Sequence, residues 1–245
     1  MSRPLFLRRL RRYVATLPAL AFGFMASPAF SVSTSVNINA SGITSGSSSA
    51  SFLGSTLVSL GGSFTTTSTT GILPSTLIGV SGGAAANEID ISGEKITLSF
   101  GSTGAVVNQI TLGLLFLKGV AGDVINEAAQ LQTNGGTACA SGNAFCILSA
   151  TGVWRGALLP ASATLSPATA GNGGIFKITN PFGTELINSI DFMPWAISGA
   201  GATNSDFGLV SVTYTTTAVP EPGTLALVGL GMLGLAVAGG RRARG

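Results

Sequence analysis

Apolar and polar side chains alternate with a period of two in short stretches that glycine-rich turns separate. Phe30, Val32, Thr34, Val36 and Ile38 stand against Ser31, Ser33, Ser35, Asn37 and Asn39. That spacing puts one set on a buried face and the other in solvent, so it predicts a half-buried strand. The same pattern returns at Ile96, Leu98 and Phe100, at Ile110, Leu112, Leu114 and Phe116, at Phe176 and Ile178, and at Leu186, Ile190 and Phe192. It returns once more at Phe207 and Leu209, with Val210, Val212 and Tyr214 on the opposite parity. Turns are expected at Gly101 to Gly104, at Gly171 to Gly174, and at Asn180, Pro181, Phe182 and Gly183, where proline suits the second position of a type I turn. Short strands with such turns predict an all-β β-sandwich, of jelly-roll kind. A helical period over Val124, Ile125, Ala128 and Leu131, behind Asp123 as N-cap, predicts one short helix. Ala40 to Ala50 and Ser63 to Gly71 are almost wholly Ser, Thr, Gly and Ala, which predicts long polar loops or edge strands, and no fixed-period repeat suggests a solenoid.

Two segments break this pattern. Val14 to Met25 is apolar behind Arg3, Arg8, Arg9, Arg11 and Arg12, and is followed by Ala26, Ser27, Pro28 and Ala29. A basic region, a short apolar core and small residues before a cut describe a secretory signal peptide over residues 1–29, with signal peptidase cutting after Ala29. About 12 apolar residues span only about 18 Å of a bilayer core about 30 Å thick, which disfavours a permanent anchor. Arg11, Arg12, Tyr13 and Val14 match the twin-arginine route only loosely.

At the other end, Pro220, Glu221 and Pro222 precede Thr224 to Gly240, which carries no charge, and then come Arg241, Arg242 and Arg244. As a helix that uncharged stretch spans about 25 Å, marginally enough to cross a membrane, with the arginines held in the cytoplasm. Five glycines within it make a poor permanent span. Gly229, Gly231 and Gly234 also spell a dinucleotide fingerprint, but no strand-and-helix unit surrounds them. Pro-Glu-Pro, one short apolar helix and a basic tail resemble the PEP-CTERM sorting signal. The resemblance covers residues 220–245 and leaves 30–219 as the secreted domain. It implies recognition by an exosortase in a Gram-negative bacterium that makes exopolysaccharide. It also implies transient insertion in the inner membrane, removal of the tail and delivery to the outer surface or extracellular matrix.

Composition narrows what the secreted domain does. Only 9% of the 245 residues are charged, and there is no histidine. Imidazole bases, histidine-containing triads and histidine metal sites are thereby excluded. The net charge of +3 comes from the two ends. Between residues 30 and 219 four basic residues (Lys95, Lys118, Arg155 and Lys177) face eight acids, a balance of −4 with no basic stripe for nucleic acid.

Cys139 and Cys146 are the only cysteines. In an exported protein so short a loop predicts a disulfide, worth about 2 to 3 kcal/mol by the loop-entropy account. A glycoside hydrolase needs two close carboxylates; Glu185 and Asp191, six apart, are read as sharing one strand face about 20 Å from each other, too far for that chemistry. Glu88 and Asp90, with Asn87, offer oxygens to calcium, but one such pair falls short of the six or more that calcium takes. Trp154 and Trp195 suit either a sugar-stacking platform or a core edge, and burial of tryptophan favours the core. No cofactor, metal or catalytic residue is assigned. The expected function is a non-enzymatic structural protein of the surface or the biofilm matrix, with exopolysaccharide as its polymer partner. A carbohydrate-binding module, marked by Trp154 or Trp195 exposed in a concave face, and a surface glycoside hydrolase remain the alternatives.

Overall fold

The computed structural model describes residues 32–68, 76–83, 87–90, 93–120, 125–133, 146–154, 164–167, 174–195 and 205–218, together with 228–229 and 231–232. All but those last four belong to an all-β domain. Its strands are β1 (Val32–Asn39), β2 (Ser49–Phe52), β3 (Ser55–Leu60), β4 (Ser63–Ser68), β5 (Thr76–Ser81), β6 (Lys95–Ser99) and β7 (Ala105–Gly113). They continue as β8 (Ala128–Thr133), β9 (Cys146–Ser149), β10 (Thr164–Pro167), β11 (Phe176–Thr179), β12 (Leu186–Ile187), β13 (Ser189–Pro194) and β14 (Gly208–Ala218).

Two antiparallel sheets result. One runs β10-β11-β7-β14-β5-β4, with β1 beside β14 and β12 beside β7; the other runs β2-β3-β6-β13-β8-β9. Ile38, Phe64, Ile110, Phe176 and Tyr214 of the first sheet share one buried cluster with Leu57, Ile96, Leu98, Leu131 and Phe192 of the second. The core therefore lies between the sheets, as alternation requires of a sandwich. Polar sequence goes to the margins: β2 (SASF) and β4 (SFTTTS) are end strands of their sheets. The Ser- and Thr-rich tracts at these places are thus edge strands, which solvated side chains protect from further pairing.

One bulge explains the parity change in the last strand, and a second lies in its partner β7. Leu209 pairs with Leu112 but Ser211 pairs with Thr111, so Val210 is an extra residue; Thr213 pairs with Gln109 and Tyr214 with Val107, so Asn108 is the extra one opposite. Before the first bulge Phe207 and Leu209 are buried, and after it Val212 and Tyr214 are. The bulge turns Val210 into a separate small cluster with Leu77 and Leu114. The Tyr214 ring meets Phe100 edge-on with centroids 4.9 Å apart. Its hydroxyl donates to Leu53 O at 2.7 Å and lies 2.7 Å from Ser55 Oγ, which satisfies the one polar atom it brings into the core.

Three expectations are corrected. Ala128 to Leu131 form strand rather than helix, because β8 is flanked by β13 and β9, and all four residues are buried. An apolar run buried on both faces loses the alternation that marks a strand, and it happens to fit a helical spacing. Leu186 to Phe192 is not one strand: Leu186 and Ile187 pair with β7 in the first sheet, Ser189 onward pairs with β6 and β8 in the second, and the chain crosses at Asn188. The strand through Ile110 stops at Gly113, where Leu114 takes φ +62° and leaves the ladder. The turn at Asn180 is as expected, closed by Gly183 N donating to Asn180 O at 3.1 Å.

Candidate functional site

The densest chemistry lies where the β4–β5 hairpin meets the segment before β6. Ser63 pairs with Ser81 at the open end of the hairpin, so Gly61 and Gly62 lie across from Gly82 and Gly83. Val80 N donates to Glu88 O at 3.1 Å, and Ile89 N donates to Phe207 O at 2.7 Å. These bonds lay residues 87–90 along β5 and carry Asp90 inward. Asp90 and Glu94 are only 4% and 3% exposed, two nearly buried carboxylates four residues apart. Glu94 Oε2 accepts the Asp90 amide at 3.1 Å. Burial pushes the Glu94 carboxyl above its ordinary 4.5 and the neighbouring Asp90 charge adds to the rise, while the Asp90 and Gly83 amides pull it back. A carboxyl raised in the folded state weakens the fold above that raised value; the penalty fades as pH falls and is absent below the ordinary one.

The glycines here are required by contact. A Cβ on Gly83 would stand 1.8 Å from Asp90 Oδ2. On Gly82 it would stand 2.5 Å from Gly61 O and 3.2 Å from Glu94 Oε1. The region is an oxygen-lined cradle of two carboxylates and a backbone carbonyl. Among the described residues no group of three or more His, Cys, Asp or Glu is placed to hold a metal.

The acids singled out earlier are dispersed. Asp191, in β13, accepts Thr97 Oγ1 at 2.6 Å and pairs with Lys95 Nζ at 3.0 Å. Glu185 precedes β12 in the other sheet, so the two share neither strand nor face, and the crossover at Asn188 is the reason. Glu88 sits beside Asp90, but the second buried carboxylate of the cradle is Glu94. The twinned glycines flanking one hairpin were the available signal for it. Trp154 bridges Leu148 of β9 and packs on the core cluster, while Trp195 follows β13, its amide donating to Ala128 O at 2.7 Å. Trp154 is therefore a core-edge residue.

Ala29, Cys139, Pro220, Glu221, Pro222, Arg241, Arg242 and Arg244 lie outside the described residues, as does the side chain of Cys146. The expected signal-peptide cut, disulfide and sorting residues fall there. Among the described residues no helix is long and apolar enough to cross a membrane, and most of 224–240 lies outside them.

Comparison with known proteins finds no match among curated proteins and none among solved structures. Comparison with protein families matches residues 218–242 to the PEP-CTERM protein-sorting motif. The motif match starts on the last residue of β14. It implies processing by an exosortase, export, and residence at the surface or outside the cell. By this motif the chain is a PEP-CTERM protein.

Proposed function

We propose that the protein is a non-enzymatic structural component of the extracellular polysaccharide matrix of a Gram-negative bacterium. Signal peptidase cuts after Ala29, the sandwich folds outside the inner membrane as a jelly roll, and the segment from Pro220 to Gly245, with its hydrophobic helix, is removed by an exosortase. The sorting motif at 218–242 carries this reading. The placement of the candidate chemistry supports it: Asp191 is held by Lys95 and Thr97, Glu185 is in the other sheet, and Trp154 is spent on the core.

A specific feature favours contact with polysaccharide as a second reading. Thr97, Asp191 and Gln132 form one cross-strand row on the six-stranded sheet, with Gln130 and Met193 paired beside it. Of these, Asp191 and Gln130 are buried, so contact with a sugar polymer falls to the half-buried Thr97, Gln132 and Met193 at the margin of the row. The test is to incubate the purified secreted protein with the producing strain's exopolysaccharide. It is expected to co-sediment with the polymer and to release no reducing ends. Release of reducing ends that Asp191→Asn or Glu185→Gln abolishes would make it a hydrolase instead.

Non-reducing peptide mapping of the same material is expected to recover Cys139 linked to Cys146, as the oxidising compartment favours. Two alkylated thiols would remove the bridge from this account.

A further inference from the structure

Glu94 is 3% exposed, yet its Oε1 has no hydrogen-bond partner among the described residues. A carboxylate oxygen taken out of water without compensation is costly, so such an atom calls for a proton or a cation. The nearest lysine in sequence does not supply the cation: Lys95 is bound to Asp191. Other oxygens crowd Gly82 and Gly83. Gly61 O and Glu94 Oε1 both lie within 3.2 Å of the point that a Gly82 side chain would fill, and Asp90 Oδ2 occupies the corresponding point on Gly83. Two consecutive glycines thus give up their side-chain space to oxygen donors.

We infer that Asp90, Glu94 and the Gly61 carbonyl hold a divalent cation of the calcium class, with water completing its shell. Two carboxylates and a carbonyl, without sulfur or imidazole, are hard donors, and hard donors select calcium or magnesium over transition metals. Calcium suits the cradle better, because it accepts irregular geometry where magnesium demands a near-ideal octahedron. Extracellular modules bind calcium with dissociation constants of about 10⁻⁴ to 10⁻³ M, so a site with few protein donors is in range. Bound there, the ion ties Asp90, on the segment laid along β5, to Gly61 and Glu94 at the end of the β3–β6 pair, a link between the two sheets.

The test uses the secreted protein stripped with EDTA and titrated with calcium chloride by calorimetry, with thermal melts alongside. One calcium per chain is expected, with a rise in Tm of roughly 5 to 10 °C at a hundred times the dissociation constant. Magnesium chloride at equal concentration is expected to give a smaller rise. Glu94→Gln, which keeps the shape and removes the charge, is expected to abolish the response and, in EDTA at pH 7, to melt no lower than the stripped wild type. Calorimetry on the wild type decides the point even where the variant does not fold. No calcium heat and an unmoved Tm overturn the inference. If, in addition, Glu94→Gln raises Tm at neutral pH but not below the ordinary carboxylate range, the compensating species is a proton.

Discussion

Replacing Pro220, Glu221 and Pro222 together by alanine is expected to leave the protein in the inner membrane with its signal peptide cut and its tail intact. Proline is excluded from a helix interior, and the residue before a proline is pushed to extended backbone. On the proposed account the two prolines are therefore expected to keep Glu221 extended and open to a protease at the membrane border. On the same account, alanine would let the stretch join an apolar helix over 224–240, with Arg241, Arg242 and Arg244 expected to keep its far end in the cytoplasm. Fractionation with intact mass measurement should find a membrane species about 2 to 3 kDa heavier than the released form, a tail of roughly 25 residues. Release at the wild-type mass would show that the tail is not read by an exosortase.

The fold bears on how cleanly that variant reports. Val32 is the partner of Ala218, the first and last rungs of the β1–β14 ladder. The two proposed processing junctions follow in sequence beyond that rung, Ala29 three residues before Val32 and Pro220 two residues after Ala218. The substitutions fall outside the ladder, so they act on sorting and leave the sandwich intact. The trapped protein should thus resist protease as the released one does.

The strands most legible in the sequence are those with one face in the core and one in solvent. β1 and β6 follow their alternation because nothing interrupts the pleat. Legibility fails where the pleat is altered by a partner strand. The bulges at Val210 and Asn108 shift parity, and only the pairing of β14 with β7 shows where. The crossing at Asn188 looks like a continuous strand because apolar spacing records burial and not which sheet does the burying. β8 reads as a helix for the same reason: a strand covered on both faces loses its period. The carboxylate cradle has a different cause. Asp90 and Glu94 meet Gly61, Gly82 and Gly83 only when the hairpin closes, so spacing along the chain pointed to Glu88 and Asp90 and passed over Glu94. The sorting signal, by contrast, is read as a linear string, which is why its residues are legible without any fold.

Gly79→Ala is expected to destabilise the domain by about 3 kcal/mol and to weaken the calcium response with it. Gly79 is in the middle of β5, and a Cβ there would stand 1.9 Å from Asn87 O, 2.3 Å from its carbonyl carbon and 2.7 Å from Glu88 N. All three are backbone atoms, so no rotamer change relieves the clash. Either β5 moves away from β4 and β14, or the segment 87–90 lifts off β5 and gives up the bonds from Val80 N to Glu88 O and from Ile89 N to Phe207 O. The second course is the easier, since it breaks fewer ladder bonds, and it carries Asp90 away from Glu94. A fall in Tm of roughly 6 to 12 °C in EDTA is expected. Gly101→Ala serves as the comparison: Gly101 has φ +68° with nothing within 4 Å of its would-be Cβ, so only the backbone cost of about 1 kcal/mol applies and calcium binding is unaffected. If Gly79→Ala lowers stability yet binds calcium as the wild type does, Asp90 is not a ligand, and Glu94 holds the ion with other partners.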